Sequence, residues 1–294
     1  MPIIKKDVVD SMDGLVAVCD IPRVIHYCWF GGNPLGEKEV RCIESWKRFL
    51  PDYEIKRWDE SNFDVRCCNY VSEAYDAKKW AFVSDYARYK ILYEEGGLYF
   101  DTDVEVVADM DDIIDAGPFL GIETDQPDSD DVSSDFVPTV NPGLGMGSQP
   151  GSALYREVLD SYESGHFLLP DGSYDLMTVV FRTTNILRGH GLRCLEGVQC
   201  VAGINIYPSE FFNPKDFLTG AIITTGNTKC IHHFSMSWLT PRQIEEHQLA
   251  GRLMERGFSR RFAQNIAKWY MIIRYLDVAR VARVVHKRAG RLHA

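Results

Sequence analysis

The sequence predicts an α/β fold with a nucleotide-binding first half. Short apolar runs alternate with amphipathic segments from residue 21 onward, which is the strand and helix order of an α/β domain. Two acids, Asp101 and Asp103, directly follow one of these apolar runs. Because ligands of open α/β sheets bind beyond the carboxyl ends of strands, this pair indicates where a site lies.

The first half of the chain carries the clearest element signals. The apolar run from residue 21 leads into Trp29 and Gly31-Gly32, which predicts a buried strand ending in a glycine turn. A flat ring at a strand end beside bare backbone suits a ligand, and a core tryptophan beside an ordinary turn is the alternative. Helical periodicity from Trp80 stops at Gly96-Gly97. The predicted order is strand, helix at 37–49, strand at 53–58, helix at 80–95 and strand at 98–100.

Element signals are weaker in the second half. The polar stretch 124–134 predicts a surface loop, and the small residues of 141–148 predict backbone close to a ligand or another strand, or a plain turn. A short helix or solvated loop is predicted at 109–115. The remaining predicted elements are strands at 104–107, 118–123, 198–201, 204–207 and 221–225, and helices at 152–164, at 178–188 and from 241 to near the end.

Composition indicates a globular chain and argues against nucleic acid as a partner. The 294 residues are 45% hydrophobic and 12% aromatic, and the net charge is -10. Residues 252–294 alone carry eleven Lys/Arg against two acids, so the acidic excess belongs to the preceding part. The eight cysteines form no Cys-x-x-Cys pair, which predicts reduced, packed thiols. With neither a signal-peptide pattern nor a membrane-span pattern, we expect a cytoplasmic protein, peripheral to a membrane at most.

The acidic pair predicts a metal-nucleotide site. Asp101 and Asp103 stand one residue apart just past a strand, so both carboxylates can face a single hard cation if the chain turns there.

A second cluster lies at residues 232–238. His232, His233, Ser237 and Trp238 could add a metal ligand and a flat wall to the same pocket. A buried histidine pair making structural hydrogen bonds is the alternative.

The C-terminal part predicts a basic amphipathic helix. Arginines alternate with apolar residues over 258–292, which suits either an anionic membrane surface or packing on the acidic domain. We expect a catalytic domain at 1–245 and a helical extension at 246–294.

Four blocks resemble glycosyltransferase family 32, the sugar transferases with an Asp-x-Asp motif. They are Ile-Pro-Arg-Val-Ile-His-Tyr-Cys-Trp-Phe-Gly-Gly, Ala-Phe-Val-Ser-Asp-Tyr-Ala-Arg, Gly-Gly-Leu-Tyr-Phe-Asp-Thr-Asp-Val-Glu and His-His-Phe-Ser-Met-Ser-Trp, in order over residues 21–240. The resemblance implies a GT-A fold, a Rossmann-like nucleotide-binding mixed sheet flanked by helices, with Mn²⁺ or Mg²⁺. It also implies a nucleotide sugar donor, UDP-sugar favoured over GDP-sugar, and retention of anomeric configuration.

The resemblance also implies roles for individual residues. Arg88, Asp101 and Asp103 would be the catalytic set, and Asp103, Asp101, His233 (or His232) and Ser237 would surround the metal. The donor would be bound by Trp29 on the base, by Ser84, Asp85 and Arg88 on the sugar and diphosphate, by Tyr99 lining the pocket, by Asp101, and by Trp238 closing over the diphosphate. The blocks are also similar to those of the large clostridial glucosylating toxins, which have a carboxylate where this sequence has histidine.

The chemistry of these residue types agrees with sugar transfer. Departure of a diphosphate needs stabilisation of negative charge, which a carboxylate-bound cation and Arg88 supply. Base stacking on Trp29 could contribute about 1–3 kcal/mol. No catalytic base is nominated, because the acceptor hydroxyl can attack from the leaving-group side and give its proton to a phosphate oxygen. The acceptor would be a glycan or lipid-linked saccharide in capsular or other polysaccharide biosynthesis.

Two other functions stay open from the sequence. A haloacid-dehalogenase-like phosphatase also places Asp-x-Asp after a strand and would use Asp101 as nucleophile. That class expects Thr or Val where this chain has Glu105, and there the motif opens the domain. A non-catalytic nucleotide-sugar-binding protein is the other alternative.

Overall fold

The computed structural model describes residues 20–125, 138–235 and 239–275. Within them the chain forms a mixed sheet flanked by helices, which confirms the predicted fold class. The strands are β1 Val24–Cys28, β2 Glu54–Trp58, β3 Gly97–Tyr99, β4 Val104–Val106, β5 Phe119–Thr124, β6 Thr139–Val140, β7 Met146–Ser148, β8 Gln199–Val201, β9 Ile204–Tyr207 and β10 Cys230–His232. The helices are α1 Glu37–Phe49, α2 Asn69–Asp76, α3 Trp80–Glu95, α4 Asp111–Asp115, α5 Ala153–Glu163, α6 Val179–Gly189, α7 Ser209–Phe212, α8 Pro241–Glu255 and α9 Arg260–Arg274.

The main sheet has the strand order β2-β1-β3-β7-β5-β9-β8, with β6 paired to β5. Strand β1 pairs in parallel with β2 and β3, and β7 runs antiparallel between β3 and β5. A second sheet contains only β4 and β10 of the described strands, antiparallel, with His232 opposite Val104. The two sheets therefore meet at residues 100–103, where the chain leaves β3 and enters β4.

The end of α3 shows why the chain turns into β3 where the sequence predicts. Gly96 has φ +68 and Gly97 has φ +99, the left-handed region that glycine tolerates. A Cβ on Gly97 would lie 2.6 Å from the Val24 carbonyl oxygen, so strand β1 also requires glycine there. Beneath it, His26 donates from Nε2 to the Gly96 carbonyl and accepts at Nδ1 from the Trp58 indole.

Side chains of β3 alternate between two cores, as the pleat of a strand dictates. Leu98 belongs to the core shared with α1, and Tyr99 to the core shared with α2, α3, α5 and α6. Trp46 of α1 is fully buried and donates its indole N–H to the Val104 carbonyl at 2.8 Å. Both faces of the sheet are thus covered, and the strand ends beside Asp101 rest on packed side chains.

Two predicted elements are wrong. Residues 221–225 are not a strand: only an isolated bridge joins Ile222 to Lys215, and Ile223 is 75% exposed, so no neighbouring strand among the described residues completes a ladder. The helix expected from 241 onward is two helices, α8 and α9, because the chain turns at Gly257 with φ +88. Five elements were not predicted: α2, α7, β6, β7 within the small-residue stretch, and β10.

Helices α8 and α9 pack on each other and on the rest of the described chain. A Cβ on Gly251 would lie 2.2 Å from the Leu218 carbonyl oxygen, and Arg260 forms an ion pair with Asp216. Of the cysteines that the structure describes, Cys28, Cys42 and Cys230 are buried, Cys67 and Cys68 are half-buried, and Cys194 and Cys200 are exposed; all seven are free. No helix within 20–125, 138–235 and 239–275 has the length and apolar character of a membrane span.

Candidate active site

A cavity of about 550 Å³ opens beyond the carboxyl ends of β1 and β3, and we call it the central cavity. Of the residues singled out from the sequence, those that line it are Trp29, Ser84, Asp85, Arg88, Asp101, Asp103 and His232. The predicted position of the site is therefore where the structure has a cavity.

Arg88 is the centre of a buried charge cluster. Its side chain is 4% exposed and lies over the Tyr99 ring at 5.0 Å. Nε donates to the Ser84 carbonyl at 3.1 Å, and Nη2 donates to the Asp85 carboxylate at 2.9 Å. Nη1 donates to Asp101 at 3.3 Å. The guanidinium thus fixes two carboxylates, one from its own helix and one from the end of β3.

Asp85 lies against the start of α6. Burial raises the pKa of its carboxyl group to about 6, and the neighbouring Arg88 charge and the nearby Val179 backbone N–H oppose that rise. At neutral pH the group is ionised in spite of its burial, which makes it a strong hydrogen-bond acceptor inside the cavity.

Asp101 is held from three sides. Tyr99 donates its hydroxyl to Oδ1 at 3.1 Å, and Arg88 contacts both oxygens. On the third side lies Gly143, whose carbonyl accepts the Asp101 N–H at 3.1 Å. A Cβ on Gly143 would lie 2.1 Å from Asp101 Oδ2, so only glycine leaves room for this carboxylate. The close approach predicted for residues 141–148 is therefore to Asp101 and, through β7, to β3 and β5.

Asp103 forms the other half of the acidic pair. It accepts from the Ser235 N–H at 2.6 Å and lies 3.1 Å from His232 Nε2. Burial alone would raise the pKa of Asp103, but His232 and the Ser235 N–H outweigh burial and lower it well below its usual range. The same pairing raises the pKa of His232 against the effect of its own burial. Strand pairing of β4 with β10 creates this contact.

Asp101, Asp103 and His232 form a group that could hold a metal ion. Each offers one ligand atom, and these atoms lie within 4.8 Å of one another. Two carboxylates and an imidazole are suitable ligands for a divalent cation such as Mn²⁺. The described lining of the central cavity also has an excess of negative charge: five carboxylates (Glu39, Asp85, Asp101, Asp103 and Glu123) against one guanidinium, that of Arg88.

His233 does not join this group. Its ring contacts Glu105 at 2.8 Å, while its backbone N–H donates to the Asp103 carbonyl. Successive side chains of an extended segment point to opposite sides, so only one of the two histidines can face Asp103. Ser237 and Trp238, expected beside them, lie outside the described residues.

The other predicted donor-binding residues differ in position. Trp29 is half-buried on the cavity lining, with its indole N–H donating to the Asn33 carbonyl at 2.6 Å. Ser84 also lines the cavity, and its hydroxyl donates to the Trp80 carbonyl. Tyr99, expected to line the pocket, instead lies behind it: it is 1% exposed and contacts Asp101 and Arg88.

Sequence reasoning missed several residues of the cavity. Glu123 is the last residue of the predicted strand 118–123, and Asp101 directly follows the predicted strand 98–100. An acid at the carboxyl end of a predicted strand was therefore a signal that could have identified Glu123. Asn141 donates to Glu123 at 2.6 Å and accepts the Gly143 N–H at 2.7 Å, so it links Glu123 to the loop beside Asp101. Phe234 was also missed, although it lies within the block His-His-Phe-Ser-Met-Ser-Trp. Phe217 and His247 of α8 line the cavity too, and no pattern in the sequence distinguishes these two from ordinary core residues.

Residues 36–120 match the family model described as "Glycosyltransferase sugar-binding region containing DXD motif". The stretch includes Asp85, Arg88, Asp101 and Asp103. The resemblance to the Asp-x-Asp glycosyltransferases of family 32 is confirmed for this stretch.

Two curated relatives come from Schizosaccharomyces pombe. Inositol phosphoceramide mannosyltransferase 3 is 35% identical over 98 residues, 32% of this chain and 27% of that protein. Inositol phosphoceramide mannosyltransferase 1 is 30% identical over 125 residues, 39% of this chain and 38% of that protein. The match therefore spans less than two fifths of either relative.

Two solved structures are also similar. The PaToxG glycosyltransferase shares 17% identity, with 57% of this chain and 69% of that chain covered and a TM-score of 0.39. The galactosyltransferase LgtC, in complex with donor and acceptor sugar analogues, shares 16% identity, with 64% and 74% covered and a TM-score of 0.37.

Proposed function

We propose that this chain is a metal-dependent, retaining glycosyltransferase of the hexosyltransferase class, which transfers a sugar from a nucleotide sugar to a saccharide hydroxyl. The central cavity carries the proposal. In it the charged residues of the matched sugar-binding stretch meet His232, supplied by the distant strand β10. This arrangement combines a place for a cation with a place for a sugar diphosphate.

The charge of the cavity supports metal dependence. A nucleotide diphosphate is an anion, and it would enter a cavity whose described carboxylates outnumber its guanidinium five to one. A divalent cation, Mn²⁺ or Mg²⁺, held by Asp103, Asp101 and His232 would offset that repulsion. When bound, it would supply Lewis-acid stabilisation of the charge on the leaving diphosphate.

The chain's own residues would bind and orient the donor. Arg88 holds Asp85 and Asp101 in fixed positions, and these carboxylates can accept hydrogen bonds from donor hydroxyls. Trp29 offers a ring face to the nucleotide base, and Ser84 lies on the cavity wall beside Asp85. Tyr99 acts behind the cavity by orienting Asp101. Trp238 and Ser237 remain expected diphosphate and metal contacts from the resemblance alone.

The reaction that we propose needs no protein base. The acceptor hydroxyl attacks the anomeric carbon from the side on which the diphosphate leaves. The bond from that carbon to the phosphate oxygen breaks, the new glycosidic bond forms on the same face, and the hydroxyl proton passes to a phosphate oxygen. The cavity contributes orientation and charge stabilisation, which lower the barrier most in group transfers of this kind.

The donor and acceptor are proposed at the level of class. UDP-sugars are the favoured donors and GDP-sugars the second choice; GDP-mannose is included because both curated relatives are named mannosyltransferases. The acceptor is a glycan or lipid-linked saccharide in polysaccharide biosynthesis, such as that of a capsule.

An anionic membrane surface is proposed as a further partner, through residues 259–294 of a cytoplasmic, peripherally attached protein. Helix α9 buries Ala263, Ala267 and Met271 but exposes Phe262 at 50% and Ile273 at 69%. An exposed apolar stripe on a basic helix suits the membrane interface. Reduced binding of Phe262→Ser/Ile273→Ser to anionic vesicles would support the proposal, and unchanged binding would oppose it.

The division into a catalytic domain at 1–245 and an extension at 246–294 remains a proposal, and His247 would then reach the cavity from the extension.

The test of the proposed function is a thermal-shift and hydrolysis panel of UDP- and GDP-sugars, each with Mn²⁺, Mg²⁺ or EDTA. A ligand at a hundredfold its dissociation constant stabilises by about 2.7 kcal/mol, a readable shift. We expect one nucleotide sugar to give a metal-dependent shift and slow release of nucleoside diphosphate.

The same panel separates the alternatives. Release of inorganic phosphate without nucleoside diphosphate would favour a phosphatase that uses Asp101. A metal-dependent shift without hydrolysis or transfer would favour a non-catalytic nucleotide-sugar-binding protein. No response to any donor would contradict the proposal.

A further inference from the structure

A second cavity of about 410 Å³ adjoins the central cavity, and we call it the side cavity. Glu123, Phe217 and Phe234 line both. Its volume is within the range of about 300–1,000 Å³ that small-ligand sites occupy. The side cavity and the central cavity are therefore neighbours that share part of their walls.

The polar walls of the side cavity are held in place by their own hydrogen bonds. Asp125 accepts from both the N–H and the hydroxyl of Ser209, the latter at 2.6 Å. Asp216 accepts from the Thr219 N–H at 2.7 Å and pairs with Arg260. Such fixed groups are preorganised, so a ligand does not have to order them on binding.

Asn213 has hydrogen-bonding capacity left on this wall. Its Nδ2 donates to the Glu123 carbonyl at 3.0 Å. Its Oδ1 is buried and has no hydrogen-bond partner among the described residues. A buried acceptor without a donor is costly, and a ligand hydroxyl would remove that cost.

Two aromatic rings, Phe217 and Phe234, also line the side cavity. The rings of Phe217 and Phe234 meet edge to face with centroids 5.0 Å apart, and His247 packs edge-on against Phe217 at 4.8 Å. A pyranose ring has one face of C–H groups and a rim of hydroxyls. A lining that combines aromatic rings with polar acceptors suits that division.

The charge of the side cavity indicates an uncharged ligand. Its described lining has three carboxylates, Glu123, Asp125 and Asp216, against two cations, Lys215 and Arg260. Both cations already have partners: Lys215 donates to the His233 carbonyl at 3.0 Å, and Arg260 pairs with Asp216. A phosphorylated ligand would meet net negative charge, whereas neutral hydroxyls would find acceptors.

We propose that the side cavity binds the acceptor as an uncharged pyranose, with hydroxyls on Asn213 and Glu123 and a ring face on Phe217. The inference rests on the proposed function, since it supplies the second substrate of that transfer. The reacting end of the acceptor would lie beside Glu123, because Glu123 lines both the side cavity and the central cavity.

The experiment uses the full chain with the donor and metal found in the hydrolysis panel. The probes are the methyl α- and β-glycosides of glucose, galactose and mannose, with mannose 6-phosphate as the charged counterpart. We expect at least one neutral glycoside to be elongated. In Asn213→Ala its KM should rise about three- to tenfold, the effect of one lost hydrogen bond, while the dissociation constant for UDP or GDP stays within about twofold.

Two further variants distinguish loss of acceptor binding from loss of folding. Ser209→Trp fills the side cavity and should abolish elongation, with cooperative melting and nucleotide binding retained. Asn227→Ala is the matched control, because Asn227 is not among the described residues that line either cavity and its side-chain amide donates to Glu210; it should leave the glycoside KM unchanged.

Each other outcome has one meaning. Elongation that Asn213→Ala and Ser209→Trp do not impair would place the acceptor elsewhere and overturn the inference. Elongation of mannose 6-phosphate alone, or donor hydrolysis with no elongated glycoside, would overturn the uncharged class. If no donor were hydrolysed by the wild-type chain, the proposed function itself would fail, and that result is visible before any glycoside is added.

Discussion

The two sides of the central cavity are built differently. On one side, Arg88 lies in helix α3 and Asp101 directly follows strand β3. Apolar side chains of this helix and this strand belong to the two hydrophobic cores. On the other side, Phe217 and Phe234 lie in chain between α7 and α8 whose only described strand is β10. There, turns are fixed by side chains, as when Asp216 accepts the N–H groups of residues 218 and 219.

This difference matches two tasks of the transfer reaction that we propose. Stabilising charge needs groups fixed to a fraction of an ångström, which helices and strands provide. Choosing an acceptor needs a surface that changes readily in evolution, which turns provide. We therefore expect substitutions on the sheet side to cost turnover or folding, and those on the turn side to change KM.

The largest effect is expected from Asp103→Ala. The substitution removes one carboxylate of the group that could hold a metal ion. Even residues that only hydrogen-bond to metal ligands change metal affinity or activity by about tenfold to a hundredfold when they are mutated. Transfer should fall by more than about a hundredfold, while thermal melting stays cooperative. Asp109→Ala, an exposed acid on the same stretch, is the control and should retain full activity. Undiminished turnover in Asp103→Ala would remove the basis of the proposed function.

Arg88→Met tests whether the sheet side depends on its buried charge cluster. It leaves Asp85 and Asp101 without their cation, and breaking a buried ion pair costs about 3–5 kcal/mol. Arg66→Met is the matched control: Arg66 is 53% exposed and pairs with Asp76, a surface arrangement contributing about 0–1 kcal/mol. Urea unfolding measures both. Equal losses would contradict the idea that burial separates the two ion pairs.

His26 should make the stability of the sheet side depend on pH. Burial lowers its pKa from 6.5 to about 4, and both ring nitrogens are used in the neutral form. The folded state therefore binds fewer protons than the unfolded state between these two pH values. Its stabilising contribution is complete above pH 6.5 and is lost as pH falls through about 4.

The size of that loss follows from the difference between the two pKa values of His26. A difference of about 2.5 corresponds to about 3 kcal/mol. The test compares the free energy of unfolding at about pH 7 and about pH 4.5 in wild type and His26→Gln. We expect a smaller difference in the variant. Asp85 titrates in the same range with the opposite sign, so only the comparison of the two proteins isolates His26. Identical pH profiles would refute the assignment.

Gly143→Ala tests whether the position of Asp101 on the sheet side depends on the glycine packed against it. The new Cβ would meet Asp101 Oδ2 at 2.1 Å, and displacement of a reacting group by about 1 Å can cost about a hundredfold. We expect transfer activity to fall about tenfold to a hundredfold. The metal concentration that gives half-maximal activity should rise by a similar factor, because Asp101 belongs to the group that could hold the metal. Gly189→Ala is the control, since its Cβ would meet nothing described within 4 Å. A fully active Gly143→Ala would mean that the loop yields without moving Asp101.

The sequence predicted the sheet side well because its signals are local. Helix α1 begins and ends where periodicity places it, and Gly96-Gly97 ends α3 through its backbone conformation. The acidic pair follows β3 as expected. These features depend on residues near in sequence, and so a single chain is enough to find them.

The turn side was predicted poorly because it depends on contacts between distant residues. Strand β10 has only three residues and acquires its partner from β4, more than a hundred residues earlier. Which histidine faces Asp103 depends on that pairing, and the sequence alone left His232 and His233 both open. Residues 221–225 have the composition of a strand, but only an isolated bridge joins them to another described segment. A strand needs a neighbouring strand to pair with, and strand propensity alone does not supply one.

The pairing of β4 with β10 also determines when the group of Asp101, Asp103 and His232 is assembled. The Ser235 N–H and the Asp103 carboxylate that it contacts are 132 residues apart, and contacts across such long loops form late in folding. A nascent chain that has not yet released residues 230–235 from the ribosome carries both aspartates and Arg88 but lacks the imidazole. The group that could hold a metal ion is therefore complete only after the whole of β10 has been synthesised and has paired with β4.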